Sequence, residues 1–256
     1  MTPINPRPLI SAHFTQQELD NELEELLKPP VEGEPDNGNQ TILSSIDAVA
    51  ADNGGKKTQD QWFDYWSQIR DGRIMAGMGD LYNHFKKLKH DSERGTAQQK
   101  AAVQTALTSL RSDFDWPGKN NWLIAGTRII YNANNENAKI IQHYHCNKPT
   151  LITQHNLVIP VYRDAPIISV VAEPQGLNYL HTLLDTKDDK EALVSTLEFV
   201  SSKKRGNIKI WTAAVSGDYT RQSHPERAAG FSSIVGGFHV GGDCNLYLTG
   251  CSRGVR

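Results

Sequence analysis

The stretch Arg227–Arg256, RAAGFSSIVGGFHVGGDCNLYLTGCSRGVR, contains no Lys, Glu, Gln, Met or Trp, although all five occur earlier in the chain. Together these types make up about a fifth of an average protein, so chance absence over thirty positions is on the order of one in several hundred. Strands disfavour Glu and Lys, which explains part of the loss. It does not explain the missing Gln and Trp, or the abundance of Gly, Ser, Asn and Cys. Every residue type in the stretch has a codon ending in a pyrimidine, and Lys, Glu, Gln, Met and Trp are the five amino acids that have none. Gly236-Gly237, Gly241-Gly242 and Gly250 divide the stretch into short β-branched and aromatic runs, which read as short strands.

Upstream, the pattern changes twice. TQQELDNELEELL from Thr15 opens with a capping box, Thr15 and Glu18, and then carries Leu at helical spacing. It ends at Pro29-Pro30, and the Pro-, Gly- and acid-rich KPPVEGEPDNGNQT follows. Residues 1–41 therefore read as an N-terminal arm and linker, and residues 42–256 as the folded domain. From Ile42 to Phe114 the periodicity is helical. Thr58 caps QDQWFDYWSQIR, and Val103, Leu107, Leu110 and Phe114 form one stripe. After Trp116-Pro117 the period becomes two. NWLIAGTRIIYNANNENAKIIQHYH reads as a β-hairpin around an Asn-rich turn. TLITQHNLVIPVYRD, PIISVVAE and NIKIWTAAVSG read as further strands, interrupted by a helical insertion over about residues 174–204. Helices first and antiparallel strands later predict an α+β fold.

A formal charge of −2 argues against a dedicated nucleic-acid binder and against a polybasic membrane anchor. No apolar run reaches the ~18 residues of a spanning helix, and MTPINPRPLISAHF lacks the basic and apolar regions of a signal peptide. The expectation is a protein made in soluble form in the cytoplasm. The three cysteines, Cys146, Cys244 and Cys251, do not form a disulfide framework.

Candidate chemistry is sparse. His143 and His145, with Cys146 beside them, lie at i and i+2 of an expected strand. Zinc needs three or four ligands, and no CxxC or HExxH completes the set, so no metal or cofactor is expected. GFHVGGDC lacks the Lys and the following helix of a phosphate loop. The one catalytic alternative is a Cys-His hydrolase or deamidase with Cys251 as nucleophile and His239 as base. LTGC resembles a turn in deamidating toxins, but those place the His after the Cys, and none of the five residues after Cys251 is His.

The pyrimidine-ending codon set carries a family resemblance. Arg227-Ala228-Ala229 at the start and Ser252–Arg256, SRGVR, at the end frame the tail. With that frame, the tail resembles the variable region of the variable proteins of diversity-generating retroelements, in which mutagenised Asn codons become NNY. The resemblance implies a C-type lectin-like fold with small antiparallel sheets, flanking helices and a variable region at 227–256. It also implies a non-enzymatic receptor-binding protein on a virion or cell surface, as a homo-oligomer or attached to a larger assembly. The expected partner is a protein or glycan on a cell surface, with no nucleic acid and no membrane insertion. The GGSW run of one branch of the fold is missing, and the helical insertion exceeds what a minimal domain needs.

Alternate residues of a strand face opposite ways, so a diversified surface must separate display from scaffold. The displayed set is expected to be Phe231, Ser232, Ser233, Val235, Gly236, Phe238, His239, Asp243, Asn245, Tyr247 and Thr249. Ala228, Ala229, Ile234, Leu246 and Leu248 are expected to pack inward. Arg253 and Arg256 are expected to brace the sheet.

Overall fold

The tail that lacks Lys, Glu, Gln, Met and Trp supplies the middle strands of a sheet. The computed structural model of the chain describes residues 55–68, 74–114, 121–145, 148–150, 157–215, 220–221, 223–234 and 236–255. The expected arm helix from Thr15 and its linker lie outside them, as do Cys146, Val235 and Arg256. The side chains of His143 and His145 also lie outside what is described.

Helix α1 (Gln59–Gln68) starts at a reciprocal cap. The Gln61 amide donates to Thr58 Oγ1 at 3.3 Å, and the Thr58 amide donates to Gln61 Oε1 at 3.0 Å. Strand β1 (Ile74–Met75), α2 (Met78–Arg94) and α3 (Ala97–Phe114) follow. Then come β2 (Trp122–Tyr131), β3 (Asn137–His145), β4 (Lys148–Thr150), β5 (Leu157–Val158) and β6 (Ala165–Pro166). After these lie α4 (Ile167–Val170), α5 (Pro174–Leu183), α6 (Lys190–Ser201) and β7 (Ile208–Thr212). The tail contributes β8 (Glu226–Ile234), β9 (Gly237–Cys244) and β10 (Gly254–Val255). The larger sheet has the order β4-β3-β2-β8-β9-β7-β6, with β5 on β3, and β1 pairs with β10 separately. Its pairings are antiparallel except for β7 with β9. The fold is α+β.

One face of the sheet carries Leu123 and Ile129 from β2, Phe231 from β8, Val240 from β9 and Ile210 from β7. All pack into the main core with Leu81 and Phe85 of α2 and Leu107 and Phe114 of α3. The α5–α6 segment, read from sequence as an insertion, is part of this core: Tyr179, Leu180, Leu193 and Leu197 are all fully buried. On the opposite face, Trp62, Phe63 and Trp66 of α1 cover Ile124, Ala228 and Cys244. Gln59 closes the irregularity in β2 between Ile124 and Arg128, where its amide donates to the carbonyls of Ala125 (2.7 Å) and Thr127 (2.9 Å).

The tail's glycines have a packing reason. A Cβ at Gly230 would meet the Leu123 carbonyl, at Gly242 the Tyr179 hydroxyl, at Gly250 the Trp122 carbonyl and at Gly254 the Trp66 ring. Gly236, at φ +78, makes the β8–β9 turn that other residues rarely adopt. Burial on both faces also favours small and apolar side chains along β8 and β9, with Arg227 as a buried exception.

Two expectations are corrected here. The run 166–173, read as a strand, contains α4 after a single strand residue, Pro166. Its buried Ile167 and Val170 are spaced i, i+3, and a short apolar run cannot distinguish that from a buried strand. The segment 245–249 is a turn and not an alternating strand. Leu248 is 42% exposed, and Leu246 only partly packs on the α1 side.

Arg253 braces the fold as expected. Its Nε donates to Asp113 Oδ2 at 2.5 Å and its Nη2 to Ser109 Oγ at 3.0 Å, tying the tail to α3. Both charged residues are buried. Asp113→Ala strands a buried guanidinium and should cost about 3–5 kcal/mol of unfolding free energy, read by urea denaturation. A loss below about 1 kcal/mol would mean the pair is solvated.

Candidate ligand pocket at the ends of strands β7 and β9

Strands β7 and β9 run parallel, with Ile208 opposite Phe238 and Thr212 opposite Gly242. They leave the sheet at the same end. Ala213-Ala214 and Asp243–Leu248 then separate and open a pocket of about 380 Å³, toward the lower end of the usual range for small-ligand sites.

The floor is held rigidly. Buried Arg221 donates to the carbonyls of Ala213 (2.9 Å), Asn135 (3.0 Å) and Ile159 (2.6 Å). The Tyr131 hydroxyl donates to the Gly242 carbonyl at 2.7 Å, beneath the Arg221 guanidinium. Thr212 fixes the wall that carries Arg163: its Oγ1 donates to the Pro160 carbonyl (2.7 Å) and accepts from the Tyr162 amide (2.8 Å). The rim is a turn built by Asn245. Its side-chain oxygen accepts from the Tyr247 amide (3.0 Å) and its carbonyl from the Leu248 amide (2.9 Å). The turn leaves Tyr247 80% exposed.

Several polar groups on the lining residues are incompletely satisfied. Arg227, 1% exposed, donates one weak hydrogen bond from Nη2 to the Thr220 carbonyl at 3.3 Å, while its Nη1 has no partner. Trp211 Nε1 and Asp243 Oδ1 are also buried without a partner. Most buried polar atoms in folded proteins are paired. Atoms on His84, Asn121, Tyr179, Ser232 and His239 are also buried without a partner, and the three here are set apart by belonging to residues that line one cavity. Desolvation pushes the Asp243 carboxyl above its ordinary range, only partly offset by a hydrogen bond from its own backbone N–H and by Arg227 and Arg163.

Of the expected display positions, the structure brings Asp243, Asn245 and Tyr247 together at this pocket. Thr249 is exposed at the end of the same turn. Ser233 and Gly236 lie at the other end of the β8–β9 hairpin, half-buried and exposed respectively. Ser233 Oγ donates to the Gly237 carbonyl at 3.2 Å.

Four expected positions are inside instead of on display. Phe231 and Phe238 are fully buried and stack at 5.7 Å, flanked by Phe85 at 5.1 Å and Phe114 at 5.0 Å. Aromatic burial of this size outweighs any display role. Ser232 is fully buried opposite His239, because β8 and β9 are central strands covered on both faces. His239 is 5% exposed, with its ring edge-on to Trp211 at 5.9 Å and its Nε2 3.5 Å from Asp164 Oδ1. It backs the pocket wall without reaching the pocket. The sequence reading missed Arg163, Trp211 and Leu248, and it treated Arg227 only as frame. One signal was available: Trp211 is a large aromatic at an outward position of the alternating run Ile208–Thr212.

The Cys251–His239 pair is excluded by strand order. Cys251 bridges Leu123 of β2, whereas His239 lies on β9, with β8 between those strands. Three strand spacings separate them, about 14 Å, far beyond hydrogen-bond reach. Burial, the largest cause, pushes the Cys251 thiol up to about 11, and Cys244 lies well above its ordinary value for the same reason. Among the described residues, no group of three or more His, Cys, Asp or Glu is placed to hold a metal, and no helix is long and apolar enough to cross a membrane.

Two outcomes follow from these environments. In a Cys146→Ser background, a disulfide reagent at pH 8 should react with the native chain roughly a hundredfold more slowly than with the unfolded chain. Equal rates would contradict the burial of both thiols. The second concerns Asp243. Its folded value is raised, so protonation favours the fold, and stability declines as pH rises from the unfolded value through the folded one. Asp243→Asn removes that cost. The variant's melting temperature should exceed that of the parent at pH 7, and the two should converge below pH ~4. A lower melting temperature for the variant at pH 7 would show that the carboxylate stabilises the fold.

No protein-family model matches the chain, and neither a curated protein nor a solved structure matches it significantly.

Proposed function

We propose that the chain is a ligand-recognition protein that binds through the β7/β9 pocket and the adjoining 245–249 turn. The observation that carries this reading is the set of buried, unpartnered polar atoms on three residues that line one pocket: Arg227 Nη1, Trp211 Nε1 and Asp243 Oδ1. A protein that only needed to fold would pair such groups or replace them, because each costs about 1–3 kcal/mol when left unsatisfied. A ligand that supplies the missing partners recovers that cost on binding. Tyr247 adds aromatic area at low conformational cost, and Asn245 adds adaptable hydrogen bonding.

The finer identity is a C-type lectin-like variable protein of a diversity-generating retroelement, acting at a virion or cell surface on a protein or glycan. The α+β build, the glycine-rich C-terminal sheet, the pyrimidine-ending codon set and the Arg227–Ala229 and Ser252–Arg256 frame support it. Several copies on one assembly would raise a modest single-site affinity through effective concentration. The burial pattern narrows where such diversification can act. Exchange is compatible with the fold at Ser233, Asp243, Asn245, Tyr247, Leu248 and Thr249, and incompatible with it at Phe231, Phe238 and Gly242.

The test combines binding and DNA. Tyr247→Ala should leave the unfolding free energy within about 0.5 kcal/mol and weaken binding to a cell-surface extract at least tenfold. In the neighbouring DNA, a near-copy of the tail's coding segment should carry its adenine differences at the codons for 243, 245 and 247–249. Binding that ignores Tyr247 but fails with Ser233→Ala would move the site to the other end of the hairpin. A template that varies codons 231 and 238 would contradict the division between scaffold and surface.

A further inference from the structure

We propose that the β7/β9 pocket takes a carboxylated sugar, a uronic or ulosonic acid residue, as its ligand; this rests on the reading of that pocket as the recognition site. Arg227 and Trp211 each present a buried N–H that lacks an acceptor, and exposed Arg163 adds a second guanidinium to the same lining. Neither orphan group can accept a hydrogen bond, so they call for a ligand acceptor. A carboxylate is the strongest partner for a guanidinium that has a free N–H.

Asp243 sets the second requirement. Its Oδ1 is also buried without a partner, so the ligand must bring a donor close to its anionic group. A bare carboxylate offers none and would sit beside another acid. An ammonium, as in an amino acid, would be placed beside two cations, because Arg163 and Arg227 both act electrostatically on Asp243. A hydroxyl meets the requirement without charge, since it donates to Asp243 and accepts from a neighbouring N–H. A compound that carries a carboxylate and ring hydroxyls a few bonds apart is a sugar acid.

The remaining lining suits the ring. Tyr247 is 80% exposed, and Trp211 is held by the His239 ring at 5.9 Å. Their aromatic surfaces, with partly exposed Leu248, provide an apolar platform for the C–H face of a pyranose. A volume near 380 Å³ accommodates a single such residue at the end of a chain.

The experiment is ligand-observed NMR and calorimetry on the full chain with four probes: D-glucuronate, N-acetylneuraminate, D-glucose and L-glutamate. Binding of at least one sugar acid, about tenfold or more tighter than glucose and glutamate, is the expected result. It should weaken about tenfold in Arg163→Gln and in Tyr247→Ala, both at exposed positions, with melting temperature unchanged. Arg227→Lys should weaken it further where that variant folds, and the two exposed substitutions decide the matter where it does not. Equal binding of glucose would overturn the requirement for an acid, and equal binding of glutamate the requirement for a sugar. Failure of all four probes would overturn this inference while leaving the wider recognition reading to the Tyr247→Ala extract experiment, so the two failures are distinguishable.

Discussion

The stacked pair Phe231 and Phe238, held between Phe85 and Phe114, is the contact on which the rest of the structure depends. It joins the two tail strands to each other and to the first rings of α2 and α3 that they meet. Each ring removes a large apolar surface from water and is further favoured by its offset and tilted neighbours. With that contact in place, β8 and β9 become central strands. β2 and β3 extend the sheet on one side and β7 and β6 on the other. The opposite face closes under α1, whose Trp62 and Trp66 donate their indole N–H groups to the Gly250 carbonyl (2.8 Å) and Ser252 Oγ (2.9 Å). The tail strands and the Gly250–Ser252 segment are thereby held between α1 on one face of the sheet and α2 and α3 on the other.

This arrangement separates the tail into two kinds of residue. Positions from Arg227 to Val240 mostly carry the fold, and their limited alphabet has a steric cause in part, since central strands in close contact favour glycine and small or apolar side chains. After Cys244 the chain leaves the sheet, and the constraint relaxes through Thr249. Unsatisfied polar atoms gather at that exit. Stability is given up there locally, beside a floor that Arg221 ties down with three hydrogen bonds to carbonyls. A rigid floor beneath a frustrated lining preorganises a site, because little further ordering is needed when a ligand arrives.

Much of the fold was legible in the sequence. The Thr58 cap, the Val103–Phe114 stripe, the hairpin around the Asn-rich turn and the α+β order all follow from periodicity and turn chemistry. The Ile167–Val170 helix was not legible, because a four-residue run with three apolar residues fits a buried turn as well as a strand. Arg253 could be placed in the frame, but its partner Asp113 could not, because the pair is 140 residues apart in sequence. The site was only half legible. Asp243, Asn245 and Tyr247 follow from tail composition, whereas Phe231, Phe238, Ser232 and His239 were expected at the surface. Period-two alternation assigns two faces to a strand but cannot reveal that both are covered. Arg163 and Trp211 come from elements far from the tail in sequence, and only the parallel pairing of β7 with β9 places Trp211 beside it.

Saturation mutagenesis of residues 227–256, read by protease resistance of the displayed chain, tests the central division most directly. Phe231, Phe238, Gly242 and Gly250 should tolerate almost no replacement, while Tyr247 and Thr249 accept most residue types with resistance unchanged. Free exchange at Phe231 and Phe238, together with intolerance at Tyr247 and Thr249, would contradict that division.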